Sequence, residues 1–335
     1  MDLIGKLKRA RLAHLPTPLQ PMPRLSAALG GPTLYIKRDD ATGLATGGNK
    51  ARKLEFLLGD AVTQGADTVL TVGATQSNHA RQTAAAANVL GLRCILLLED
   101  RIVHLGPEYS NSGNALLDDL LGAEVRRYPA GTNMARTLQD AVQEIRDRGG
   151  KPYAIPAGGS NPVGSAGYAE CARELLEQAG ALGIGLDHLV HATGSAGTQA
   201  GLLAGFEALE RPVPVLGVSV RAERAAQEKL VHELACATAR HLGTPPVPRE
   251  RAVVDAGYVG EGYGLPTQGM LEAVQLVART EGILLDPVYS GKAMAGLIER
   301  IRQGYFRPGA SVVFLHTGGS AALFGYRQAL ARISA

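Results

Sequence analysis

Along the whole chain, short runs that are apolar at every position alternate with longer stretches of helical periodicity, and this constrains the fold most. Residues 68–74 (TVLTVGA), 94–99 (CILLLE), 215–220 (VLGVSV) and 311–316 (SVVFLH) are such runs, and 34–36, 123–128, 153–156 and 189–192 are weaker ones. Helical patterns at 78–90, 111–121, 134–148, 164–178, 223–241, 267–281 and 291–302 separate them, and another helix opens near Thr198. A strand with one wet face alternates polar and apolar residues, whereas a strand apolar throughout has both faces covered. The expected class is therefore α/β, with parallel twisted sheets covered by helices. At 335 residues the chain can form two domains or one large one. No repeat, low-complexity tract or charged linker divides it, and the proline-rich stretch 243–250 reads as a surface loop.

Composition narrows the partners. The net charge is +3 and no basic run stands out beyond residues 6–11, so the footprint of a nucleic-acid binder is missing. Trp is absent, which removes the usual base-stacking platform. No stretch approaches the apolar length of a membrane span. Cys94, Cys171 and Cys236 stand far apart without metal-ligand spacing and read as buried thiols, so no metal is expected. Residues 1–15 are basic and lack a continuous apolar segment, and a reducing, cytoplasmic setting is the expectation.

The chemistry concentrates in small-residue loops at strand ends: 73–79 (GATQSNH), 156–161 (PAGGSN), 192–201 (ATGSAGTQAG), 260–264 (GEGYG) and 316–320 (HTGGS). In parallel sheets, ligands sit where strand C-termini meet helix N-termini. Free N–H groups and hydroxyls at a helix start suit anions, although one such loop alone is an ordinary cap. Residues 193–198 make the best phosphate cradle, with glycines for close approach and hydroxyls at Ser195 and Thr198. The spacing is not that of a dinucleotide fingerprint, and 260–264 also fails it, with Leu265 in place of the third glycine.

Lys50 closes another glycine-bearing loop, at a helix start. A phosphate-loop lysine follows a glycine and precedes Ser or Thr, but here Asn49 and Ala51 flank it. A nucleophilic amine is the functional alternative, and a solvated turn lysine is the bland one. A lysine amine plus a single phosphate site on an α/β scaffold points to pyridoxal 5'-phosphate held as a Schiff base.

Five runs carry a resemblance: GGNKARKLEFL (47–57), GATQSNHARQTAA (73–85), TGSAGTQAG (193–201), EGILLDPVYSGKAMAGLI (281–298) and HTGG (316–319). In this order they resemble the aminocyclopropane-carboxylate deaminase/D-cysteine desulfhydrase group of fold-type-II, tryptophan-synthase-β-like enzymes, and the similarity spans residues 15–326. The resemblance implies that Lys50 carries the cofactor and shuttles a proton. It implies that Asn78 meets the cofactor's ring oxygen and Ser77 the substrate carboxylate. It further implies that Lys53, Gly194, Ser195, Ala196, Gly197 and Thr198 hold the phosphate, that Ser290 and Thr317 lie on the cofactor, and that Thr75, Gln76, Tyr263 and Tyr289 line the substrate. His79 and His316 are expected to be structural, and Lys292 to serve loop geometry or lie in solvent. The architecture implied is a small α/β domain (51–161) against a large one (1–50 plus 162–335), with the site between them, in a homodimer acting on a small amino acid.

In the deaminases a Glu stands at the position of Ser290 and a Leu at that of Thr317. A hydroxyl facing the cofactor's ring nitrogen leaves a weaker electron sink than a carboxylate, which suits β-elimination over opening of a cyclopropane. The expected products are pyruvate and ammonia. The hydroxyl of Thr75 puts L-cysteate sulfo-lyase first, because a sulfonate needs extra donors, with D-cysteine desulfhydrase as the alternative. A pyridoxal-phosphate binder without turnover and a nicotinamide-dependent reductase are the readings from other classes.

Overall fold

The computed structural model describes residues 4–102 and 105–331. Ten strands run in chain order as β1 (Leu19–Pro21), β2 (Thr33–Arg38), β3 (Thr68–Ala74), β4 (Arg93–Asp100), β5 (Glu124–Pro129), β6 (Pro152–Ile155), β7 (His188–Thr193), β8 (Val215–Ser219), β9 (Val253–Asp255) and β10 (Ser311–His316). They form a six-stranded sheet, β1-β2-β10-β7-β8-β9, and a four-stranded sheet, β5-β4-β3-β6. Only β1 is antiparallel to its neighbour among the described pairs. The α/β class with helix-covered parallel sheets is thus the observed one.

Apolar packing covers both faces of the central strands, which is why β3, β4, β8 and β10 are apolar along most of their length, whereas β5 at a sheet edge is polar and partly exposed. On the large sheet, Met270, Val274, Met294 and Ile298 pack with Ile36, Val190 and Phe314, while Leu175, Leu203, Phe206 and Val231 pack with Leu189, Val215 and Val313. On the small sheet, Leu54, Leu57, Leu58 and Ala84 cover Val69, Leu96 and Leu98. Its other face is covered by Met134, Val142 and Ile145.

The helix expected over 111–121 is two helices, Pro107–Asn111 and Asn114–Leu120. The break falls at Gly113, whose φ of 59° is left-handed, and a Cβ there would lie 2.6 Å from Oε1 of Gln76.

Strand register brings the site together. His316 of β10 pairs with Arg38 of β2, so the turns after both strands lie side by side, and the Asn49 N–H donates to the Thr317 carbonyl at 3.0 Å. The helix Lys50–Thr63 then packs on the small sheet through its leucines, and on the helix Pro162–Leu182 through Arg52. That guanidinium, 1% exposed, donates to both oxygens of Asp39 (2.8 and 2.9 Å) and both of Glu174 (2.9 and 2.8 Å). Lys37 donates to the same Glu174, and the Tyr168 hydroxyl to Asp39 at 2.6 Å. Burial pushes the Arg52 pKa down, but Asp39 and Glu174 outweigh it and hold the group well above its usual value.

Candidate active site

A cleft of about 880 Å³, open to solvent, lies at the C-terminal ends of the strands. That volume includes space open to solvent, and the cleft is identified by the residues that converge on it. Lys50, Ser77, Asn78, Gly194, Ser195, Ala196, Thr198, Tyr263, Tyr289 and Thr317 all line it.

Lys50 is aimed by a loop of unusual backbone. Gly43, Ala45, Thr46, Gly47 and Gly48 all have positive φ, and a Cβ on Gly47 would fall 1.9 Å from the Asp40 carbonyl oxygen. Such geometry in Ala and Thr must be held from outside. Arg81 does so by donating to the Thr46 hydroxyl and the Gly47 carbonyl, both at 2.7 Å, while Gln82 accepts from the Ala51 N–H at 3.0 Å. Burial pushes the Lys50 amine down to about 8, only partly offset by a hydrogen bond with Lys53. A fraction of it is therefore neutral near physiological pH, as a nucleophile or base requires.

Lys53 lies one helical turn on, below the cleft floor. Its ammonium donates to the Gly158 carbonyl and the Ser160 hydroxyl, each at 3.1 Å, and no carboxylate pairs with it among the described residues. Burial, then the neighbouring Lys50, drives its pKa well below the usual lysine value. It faces the start of the helix Gly197–Ala208, where a Cβ on Gly197 would sit 2.7 Å from Nζ. The first N–H groups of that helix have no intrahelical acceptor. Two lysine amines with no carboxylate partner among the described residues, beside a helix N-terminus open to close approach, fit the phosphate of pyridoxal phosphate, whose negative charge would favour the protonated form that burial disfavours. Asn78 fits the ring: its Oδ1 accepts from Asn114 at 2.8 Å, leaving its amide N–H groups for the cleft.

Ser77 caps the helix Asn78–Val89, accepting from the Ala80 N–H at 3.1 Å. Across the cleft the hydroxyls of Tyr263 and Tyr289 meet at 2.6 Å, with their rings edge-on at 5.9 Å. Burial raises both phenols, Tyr289 the more strongly.

Three expected site residues point elsewhere. The Thr75 hydroxyl donates to Asp100 at 2.6 Å, and its side chain lies outside the cleft lining. Gln76 donates to the carbonyls of Tyr109 and Ser112 and accepts from the Asn114 N–H, so it ties the 107–120 segment and leaves nothing for a substrate. Ser290 sits behind the lining and donates to Asp286 at 2.7 Å. His316 is a structural residue, with its ring between the Leu284 carbonyl and the Gly318 N–H. His79 differs from expectation, since it lines the cleft. Its Nε2 meets the Thr71 hydroxyl, which itself donates to Ile155, so Nε2 carries the proton and Nδ1 is an acceptor with no partner among the described residues. Lys292 serves the loop, donating to the carbonyls of Val259 and Gly262 at 2.6 and 3.0 Å.

Sequence reasoning missed Asp286, Arg101 and Arg221. Asp286 accepts from the N–H groups of Val288, Tyr289 and Ser290 and so sets the start of the helix Ser290–Arg302. Arg101 and Arg221 both follow strands and line the cleft, but nothing in their local pattern separates them from solvated turn residues.

Comparison with known proteins shows the family. The family described as "Pyridoxal-phosphate dependent enzyme" matches residues 10–318. D-cysteine desulfhydrases from Salmonella choleraesuis (strain SC-B67) and Salmonella typhi are 46% identical over 323 residues, covering 96% of this chain and 97% of theirs. A solved aminocyclopropane-carboxylate deaminase homologue superposes with a TM-score of 0.90 at 38% identity, covering 99% of this chain and 98% of that one. A solved threonine deaminase from T.th. shares the fold, at 23% identity and a TM-score of 0.61 over 90% of this chain and 92% of its own.

Proposed function

The chain belongs to the pyridoxal-phosphate-dependent enzymes, in the aminocyclopropane-carboxylate deaminase/D-cysteine desulfhydrase group, and from that premise we propose that it is a carbon–sulfur lyase acting on D-cysteine. The observation that carries this reading is the near full-length similarity to D-cysteine desulfhydrases. The L-cysteate preference expected from the sequence loses its main support, because the Thr75 hydroxyl that suggested it is engaged with Asp100. Arg101 and Arg221 on the cleft lining keep L-cysteate as a second reading, since a sulfonate carries a fixed negative charge.

When bound, pyridoxal phosphate supplies an aldehyde that ties amines covalently and a ring that stabilises negative charge at Cα. Lys53 and the start of the helix Gly197–Ala208 hold the phosphate, and Asn78 the ring oxygen. Ser77, at a helix N-terminus, receives the substrate carboxylate. Lys50, with its amine near neutrality, takes the Cα proton. The Cβ–S bond then breaks with its electron pair on sulfur, and the Tyr263–Tyr289 pair supplies the proton that lets sulfide leave. Water hydrolyses the remaining aminoacrylate to pyruvate and ammonia.

The same proposal takes residues 51–161 as a small domain and 1–50 plus 162–335 as a large one. The split of the strands between two sheets supports this division. A homodimer and a reducing cytoplasmic setting complete it, the latter supported by three free cysteines; sedimentation of the holoprotein tests the dimer. The deciding experiment gives D-cysteine, L-cysteate, L-cysteine and aminocyclopropane-carboxylate separately to holoenzyme. Pyruvate with sulfide from D-cysteine is expected. Sulfite from L-cysteate alone would establish the second reading, and oxobutyrate from the cyclopropane would overturn β-elimination.

A further inference from the structure

Both sheets supply the cleft wall, and Arg101 comes from the small-sheet side, directly after β4. Its Nε donates to Glu99 at 2.6 Å, and its two terminal amino groups have no hydrogen bond among the described residues. The guanidinium lies 5.5 Å from the centroid of the Tyr263 ring. Tyr263 belongs to the segment after β9, so this contact spans the opening between the sheets.

The other sides of Tyr263 are already fixed. Lys292 holds the carbonyls of Val259 and Gly262, and the Tyr326 hydroxyl donates to the Gly264 carbonyl at 2.8 Å. The charged and titratable groups facing Tyr263 are Tyr289, Arg101, Asp286, Arg221, Tyr109 and Tyr326, and those facing Tyr289 include Tyr263, Asp286 and Arg101. Arg101 itself faces Glu99, Tyr263 and Tyr289. A cation near a phenol stabilises the phenolate more than the neutral ring, so Arg101 favours proton release from the pair and opposes Asp286.

We propose that Arg101 is a positioning residue for the tyrosine pair: seated on Tyr263 across the cleft, it holds the pair in register and makes its shared proton available to the leaving sulfur. This rests on the lyase reading above. In the step, the Cβ–S electron pair goes to sulfur, a tyrosine proton joins it, and Arg101 stabilises the phenolate left behind until that is reprotonated. A thiol leaving group depends on this proton. Chloride does not, because it departs as a weakly basic anion.

The test compares wild-type, Arg101→Met and Arg101→Lys holoenzymes on D-cysteine and β-chloro-D-alanine, following pyruvate. Arg101→Met is expected to lower kcat on D-cysteine by about tenfold or more, to leave KM within about twofold, and to change kcat on the chloro substrate by no more than about twofold. Arg101→Lys, which keeps the charge but loses the planar face, is expected to recover only part of the loss. A second readout needs no turnover: the phenolate absorbance titration of the holoprotein shifts to higher pH in Arg101→Met, and the shift disappears in a Tyr263→Phe background. Equal losses on both substrates, or a titration unmoved by Arg101→Met, would overturn the proposal. Absence of sulfide from the wild type would sink the lyase reading instead, and the titration would still judge the Arg101 contact.

Discussion

Arg52 and Lys53 are consecutive residues of one helix, both cut off from solvent, and they sit in opposite electrical surroundings. On one side of the helix Arg52 meets two carboxylates, with Lys37, Tyr168 and Thr17 completing the cluster. On the other, Lys53 meets a carbonyl, a hydroxyl and a second lysine. Burying a charge is unfavourable in both places. Behind the helix the protein supplies the counter-charge. In front it does not among the described residues, and the proposed phosphate site lies there. A buried charge that is fully paired therefore reads as scaffold, and one left unpaired reads as a binding site.

The sharpest break of this contrast is Arg52→Met. Removing one partner leaves Asp39 and Glu174 buried without compensation, and about 3–5 kcal/mol of stability should be lost, read from the urea midpoint. Lys53→Met should do the reverse, leaving the apoprotein as stable as wild type or more so. Cofactor affinity should fall by about 1.5–3 kcal/mol, measured by equilibrium titration, through loss of a charged donor.

Smaller still, because the cleft admits water to Lys50, is a pH effect on the apoprotein. The folded-state amine titrates at about 8 against 10.5 when unfolded, so the unfolded chain binds more protons across that interval. Stability should therefore rise as pH climbs from about 8 toward 10.5, and binding of the cofactor at Lys50 should flatten the rise. The least effect belongs to Thr75→Val, at about 1 kcal/mol of stability from the bond to Asp100, with turnover of D-cysteine within about twofold. A large loss of turnover there would bring Thr75 back to the substrate.

The α/β class was legible because strands covered on both faces must be apolar at every position, as 94–99 and 311–316 are. That Lys50 and residues 193–196 and 198 share one cleft was legible because ligand clefts of parallel sheets form where strand C-termini meet helix N-termini. Residues whose role depends on distant partners were not. Gly113 breaks a helix only because Gln76 and Ala321 crowd it, and those residues lie far away in sequence. Thr75 and Gln76 adjoin Ser77 and Asn78 in sequence, yet their side chains leave the strand end in other directions. Arg101 acquires meaning only from a tyrosine on the other sheet.

The left-handed loop before Lys50 carries a last consequence. Ala45 and Thr46 keep their backbone only while Arg81 of one helix grips them, and Asn49 needs the turn after β10 to hold it. One anchor sits on the helix after β3 of the small sheet and the other in the turn after β10 of the large sheet, far apart in the chain. Lys50 is thus aimed only once the whole molecule is assembled. On the role proposed for Lys50, capture of the cofactor's aldehyde requires both anchors to be in place.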